Sequence, residues 1–150
     1  MHSRVDGESV IEFSGANIGI AVGMDDGLVV PVVMNAEQLT LAQLAVETKR
    51  LANQARAGRI ENMGQGIFTI SNLGMYGVDE FVAIINPPEA AILAVGAVRE
   101  DVIVKDGALK AGQTLHLTLS ADHRLIDGTL GAQFMARLKA LLENPLQLIA

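Results

Sequence analysis

The spacing of apolar positions along the chain switches between a period of two and a period of three to four, and the switches mark the elements. The first fifteen residues are polar apart from Val5, Val10, Ile11 and Phe13, and read as a loop leading into a short strand. Between Asn17 and Gly23, Ile18, Ile20 and Val22 alternate with small residues, which is a strand pattern. Asp25-Asp26-Gly27 is a turn signal, and a second apolar run follows from Leu28 to Val33. Pro31 lacks the amide that a central strand needs, so this run is an edge strand or ends early. Thr40 to Gln43 fits a capping box, and Leu41, Leu44, Ala45, Thr48, Leu51, Ala52 and Ala55 then recur at helical spacing up to a stop at Gly58. Ile67–Ser71 and Ala91–Val98 read as strands. Val102–Val104 and Leu109 flank Lys105-Asp106-Gly107, which predicts a hairpin. Thr114–Ser120 alternates with Leu115, Leu117 and Leu119 on one face. Leu130, Phe134, Leu138, Leu141 and Leu142 then form a helical stripe closed by Asn144-Pro145. The expected class is mixed α/β, with strands that need not all be parallel.

Composition narrows the picture. Of 150 residues, 50% are apolar and 19% charged, enough apolar material for a real core in one domain. No unbroken apolar stretch has the roughly 18 residues of a membrane span, so the apolar excess points to surface covered by partner subunits. The net charge of −6, with 11 scattered basic residues, argues against nucleic-acid binding. With no cysteine, disulfides, thiolate metal sites and a cysteine nucleophile are excluded. No signal-peptide pattern opens the chain, which fits a soluble intracellular compartment.

Three histidines leave few candidates for chemistry. His2 lies in a polar terminus and reads as inert. His116 reads as a mid-strand residue on the face opposite Leu115 and Leu117, solvated or hydrogen-bonded. His123 sits in Ser120-Ala121-Asp122-His123-Arg124-Leu125-Ile126-Asp127-Gly128, between a strand and the last helix, where rigid elements on both sides suit a general base. Asp127 follows four residues on. On spacing alone, a packed loop histidine and an aspartate that caps the helix explain the pair better than catalysis does. His116 and His123 lack a third metal ligand at a recognisable spacing, and the glycines at 64, 66, 74 and 77 form no phosphate loop. No G-x-S-x-G elbow occurs. The acidic pairs Asp25-Asp26 and Asp79-Glu80 read as solvated loop carboxylates.

The segment Ser120–Gly128 resembles the active-site segment of the dihydrolipoamide acyltransferases of 2-oxo acid dehydrogenase complexes. Asn17–Val33, Phe68–Gly77 and Ile84–Gly96 are similar to further segments of that family in the same order, so the likeness runs from about Asn17 to Leu148. It implies a chloramphenicol-acetyltransferase-like fold, a mixed sheet flanked by helices, assembled as a homotrimer or a larger cage. It implies transfer of an acyl group between dihydrolipoamide and coenzyme A, with no metal. By the same resemblance His123 is the base that takes the proton of the coenzyme A thiol. Ser71 is the donor to the tetrahedral oxyanion, from the opposite side of a subunit interface, and Asp127 helps fix the geometry. Without the resemblance, Ser71 reads as a strand-end serine serving a turn.

Residues 17–150 are thus expected to be part of a catalytic domain, with 1–16 as lead-in and no lipoyl or subunit-binding domain within 1–150. Coenzyme A is expected as substrate, the lipoyl group on a separate domain, and other components of the dehydrogenase complex as partners. The compartment expected is the cytoplasm, or the mitochondrial matrix in a eukaryote. Two rival readings of the same fold are a non-catalytic trimer-forming assembly module and a coenzyme A-dependent acyltransferase with a small free acceptor. The acyl group itself is open.

Overall fold

A computed structural model describes residues 3–148. The chain opens with a hairpin of β1 (Ser3–Asp6) and β2 (Ser9–Glu12), followed by β3 (Ile18–Ile20), a second hairpin of β4 (Val22–Met24) and β5 (Gly27–Val29), and β6 (Val32–Val33). Helix α1 (Leu41–Arg56) leads to β7 (Phe68–Asn72) and β8 (Ala91–Val95). A third hairpin, β9 (Arg99–Lys105) and β10 (Ala108–Thr114), precedes β11 (Leu117–Ala121) and helix α2 (Gly128–Glu143). The centre is a five-stranded mixed sheet in the order β11-β8-β7-β3-β6. Strands β3, β7 and β8 run parallel, and the edge strands β6 and β11 run antiparallel to their neighbours. The expected mixed sheet with helices is therefore found. Among the described residues no helix is long and apolar enough to cross a membrane.

Strand alternation sorts the sheet into two faces. Phe68, Ala91 and Leu93 point to one face, where Leu119, Ile126, Phe134 and Leu138 close a core. The rings of Phe68 and Phe134 lie 5.8 Å apart and tilted. Phe134 is half-buried against this core, and the contact seats α2 against the sheet. Thr69 and Ser71 fall by parity on the opposite face, with Ile92. The irregular segment 78–88 crosses that face. Its anchors are Ser120 Oγ, which donates to the Ala83 carbonyl at 2.6 Å, and the Ala97 amide, which donates to the Val78 carbonyl at 2.8 Å. At the crossing the backbones nearly touch: a Cβ on Gly96 would lie 1.8 Å from the Asp79 carbonyl oxygen, so only glycine fits.

Several expectations are corrected. The first residues are a hairpin, because Gly7 adopts a φ of 61° and lets Val5 pair with Val10. The Asn17–Gly23 pattern divides at Ala21 into β3 and β4, which belong to different sheets. The second apolar run also breaks, at Pro31, and its remainder β6 is an edge strand as Pro31 required. The Thr114–Ser120 alternation spans a break: Thr114 ends β10, and β11 starts at Leu117. His116 lies in that break, exposed, and is not a strand residue; its carbonyl accepts the Gly96 amide at 3.0 Å. Asp79 is not a free loop carboxylate but pairs with Arg99. His2 lies outside the described residues.

Candidate active site

Ser71 stands near the carboxyl end of β7, in register with Ala94 of β8. Asn72 Oδ1 accepts the Gly74 amide at 2.8 Å, so a side-chain turn stops the strand directly after the serine. Half-buried, Ser71 lines a cavity of about 380 Å³ between the sheet and the crossing segment, together with Thr69, Phe81, Ile84, Asn86 and Ile92. The pairing of β7 with β8 fixes the backbone from which the hydroxyl is presented to this cavity.

His123 is exposed in the turn between β11 and α2. The Asp122 amide donates to the Ala90 carbonyl at 2.8 Å, and the Asp122 carbonyl accepts the amides of Leu125 and Ile126. Ile126, 3% exposed, pins the turn to the core. The Asp122 carboxylate accepts from the Arg124 amide at 3.0 Å and pairs with its guanidinium at 2.5 Å. These bonds hold the Asp122 carboxyl down to about 2. Asp127 is the N-cap of α2, its carboxylate accepting the Leu130 amide at 2.8 Å. Among the described residues no hydrogen bond joins His123 to Asp127. His123 and Asp127 line one open cavity of about 650 Å³ with Glu80, Leu119, Gly131 and Met135.

The structure brings His123 and Asp127 to one cavity and Ser71 to another. Residues Glu80 and Phe81, adjacent in sequence, line one cavity each. The register sets the separation. Ser71 shares a row with Ala94 and Thr118, whereas Phe68 shares a row with Ala91 and Ala121, the last residue of β11. Ser71 is thus about 10 Å along the strands and about 9–10 Å across them from the point where the chain leaves for His123. Within one chain the two side chains line separate cavities.

Sequence reasoning missed two residues beside Ser71. Thr69, fully buried, donates from Oγ1 to Glu89 Oε2 at 2.5 Å, and Asn86 Nδ2 donates to Glu89 Oε1 at 3.2 Å. Burial outweighs both bonds and pushes the Glu89 carboxyl above its ordinary range. The signal was a lone acid in the apolar run from Ile84 to Val95. Among the described residues no three His, Cys, Asp or Glu side chains cluster as a metal site.

A mixed sheet with a loop histidine behind its edge strand and a strand-end serine on its far face defines the class. The whole chain, residues 1–150, matches the family described as 2-oxoacid dehydrogenases acyltransferase (catalytic domain), and it belongs to that family. It is 43% identical over 142 residues to the dihydrolipoyllysine-residue acetyltransferase component of the pyruvate dehydrogenase complex of Rickettsia felis, covering 93% of this chain and 34% of that protein. It is 40% identical over 151 residues to the dihydrolipoyllysine-residue succinyltransferase component of the 2-oxoglutarate dehydrogenase complex of Bartonella vinsonii subsp. berkhoffii, covering 99% of this chain and 37% of that protein. Among solved structures, the dihydrolipoamide acetyltransferase of Azotobacter vinelandii, studied for the catalytic roles of a serine, a histidine and an asparagine, superposes with a TM-score of 0.91 at 40% identity. That match covers 99% of this chain and 63% of the other. The chain spans about a third of the length of these curated relatives.

Proposed function

We propose that this chain transfers an acyl group between dihydrolipoamide and coenzyme A, and that two copies of it build each reacting centre. The observation that carries this reading is the placement of Ser71 and His123 on two separate cavities of one chain. In the Azotobacter protein the serine and histidine are separated along the chain as Ser71 and His123 are here, and its asparagine follows the histidine as Asp127 follows His123. That spacing supports the roles of all three residues.

The chemistry needs a base that works near neutral pH and a donor aimed at developing negative charge. His123 takes the proton of the coenzyme A thiol, and the thiolate attacks the carbonyl of the acyl-dihydrolipoamide thioester. The carbonyl oxygen becomes an oxyanion, to which the Ser71 hydroxyl of a neighbouring copy donates. As the intermediate collapses, the bond to the dihydrolipoyl sulfur breaks, and that sulfur takes the proton back from His123. Asp127 acts by capping α2, which ends the turn carrying His123. No step calls for a metal or an enzyme thiol. Coenzyme A is a substrate, and the lipoyl group arrives on a separate domain of the dehydrogenase complex.

A homotrimer is the smallest closed ring in which each copy gives a serine to one neighbour and a histidine to the other. The exposed apolar side chains of the crossing segment, Val82 at 76% and Ile84 at 90%, support such an assembly. The bacterial cytoplasm or the mitochondrial matrix is the compartment that goes with this role.

The test is acetyl transfer from acetyl-CoA to free dihydrolipoamide, followed beside sedimentation of the intact protein. Thioester formation on dihydrolipoamide by a trimer is the expected result. A stable trimer with no transfer would leave the assembly-module reading, and a stable monomer at micromolar concentration would refute both.

A further inference from the structure

We infer that Asp122 is the positioning residue of His123: by closing the turn on itself and holding Arg124, it fixes the direction from which the imidazole reaches the reacting atoms. The inference rests on the acyl-transfer reading and adds a residue to which that reading gives no role.

Asp122 follows directly on β11, and the turn closes on it. Its carbonyl accepts the amides of Leu125 at 3.0 Å and Ile126 at 2.9 Å, and its carboxylate Oδ1 accepts the amide of Arg124 at 3.0 Å. Three of the next four amides are thus spent on one residue. The bond from Oδ1 to the amide two positions on is an Asx turn, and the residue whose backbone it encloses is His123. At its start the turn is tied to the core, because the Asp122 amide donates at 2.8 Å to the carbonyl of the wholly buried Ala90. Ile126 ties it at the other end.

Side-chain direction follows from this clamp. Asp122 and Arg124 both line a cavity of about 430 Å³ with Ile85, Pro87 and Glu89, whereas His123, between them, lines the separate cavity it shares with Asp127 and Met135. Of the two acids lining the first cavity, Asp122 holds the guanidinium: Nη2 donates to Oδ2 at 2.5 Å and Nε to Oδ1 at 3.0 Å. With the two flanking side chains joined, the loop cannot roll about its own axis without breaking both the pair and the Asx turn. The imidazole is thereby kept toward the other cavity. The Arg124 side chain is 70% exposed, so the ion pair adds little by itself and the Asx turn carries the larger share. A base displaced by about 1 Å loses on the order of 10² in rate, so a loosened turn shows in turnover before it shows in binding.

The intact protein and its Asp122 variants are assayed for acetyl transfer from acetyl-CoA to dihydrolipoamide, beside sedimentation and a thermal midpoint. Asp122→Ala should lower kcat by about 10- to 100-fold and leave KM for both substrates within about twofold. Asp122→Asn, whose amide oxygen still accepts the Arg124 amide, should return to within about fivefold of the unaltered rate. Asp122→Glu keeps the charge but is too long to close the Asx turn, and should stay at least about tenfold slow. In a His123→Asn background Asp122→Ala should cost no more than about twofold, because a residue that acts through His123 has nothing left to position. Should Asp122→Ala fail to assemble, Asp122→Glu takes its place in both comparisons. Full kcat in either variant overturns the inference, and so does an undiminished loss in the His123→Asn background. An Asp122→Asn protein as slow as Asp122→Ala overturns the part given to the Asx turn. No transfer by the unaltered protein would instead sink the acyl-transfer reading itself.

Discussion

Ser71 stands three rungs along the sheet, and two strands across it, from Ala121, where the chain turns toward His123. The two side chains also line different cavities: Ser71 beneath the crossing segment, His123 beside the edge strand and α2. On the mechanism proposed above, a hydroxyl and an imidazole serving one tetrahedral centre would come from two copies of the chain.

Removing the Ser71 hydroxyl probes the transition state selectively. A donor aimed at an oxyanion interacts weakly with the ground-state thioester and strongly with the intermediate. Ser71→Ala should lower kcat by roughly 10²–10³ with little change in KM. Loss of a mere turn hydrogen bond would cost about 1 kcal/mol of stability and leave kcat alone. Steady-state kinetics beside a thermal midpoint separates the two, and a lowered midpoint with unchanged kcat would remove Ser71 from the mechanism.

Asp127 is predicted to act through the helix it caps. Its carboxylate accepts the Leu130 amide at 2.8 Å, a bond that an asparagine side chain can also accept. Asp127→Asn should keep both the thermal midpoint and turnover, whereas Asp127→Ala should lose about 1 kcal/mol and lower turnover with it. If Asp127→Asn kept its midpoint but lost turnover, the carboxylate charge would be acting on the reaction directly.

Glu89 makes stability depend on pH in an unusual direction for an acid. Burial raises its carboxyl above the ordinary 4.5, against hydrogen bonds from Thr69 and Asn86 that lower it. The folded chain thus holds this proton more tightly than the unfolded chain does. The associated stabilisation is complete below the ordinary carboxylate range and is lost as pH rises through the raised folded value. Glu89→Gln cannot titrate, so its thermal midpoint relative to the unaltered protein should climb from about pH 4 upward. A pH-independent difference would show that the carboxyl titrates as it does in the unfolded chain.

What the sequence made legible was local. Helix α1 carries its start signal in four residues, and both halves of the Thr40–Gln43 capping box are present. The turn between β9 and β10 needs positive φ, which Asp106 at 55° and Gly107 at 75° adopt. The break at Leu115-His116 was hidden, because apolar alternation runs on through residues that the sheet does not pair. At the site, His123 and Asp127 could be singled out from a short segment, although their spacing fitted a capped helix better than catalysis, and Ser71 stood out only through resemblance. The partnership of Thr69 with Glu89 spans 20 positions and exists only once β7 and the segment after Pro88 are brought together, so no local pattern announces it.

The central claim, that one reacting centre takes Ser71 from one copy and His123 from another, is tested most directly by mixing two inactive proteins. Ser71→Ala and His123→Asn subunits, each with turnover lowered by roughly 10² or more alone, are dissociated, combined in equal amounts and reassembled. If the centre lies between copies, some interfaces pair an intact His123 with an intact Ser71, and random mixing should restore about a quarter of the unaltered rate. If the mixture stays as inactive as its parents while sedimentation shows hybrid trimers, the two residues do not work across the interface and the account is wrong.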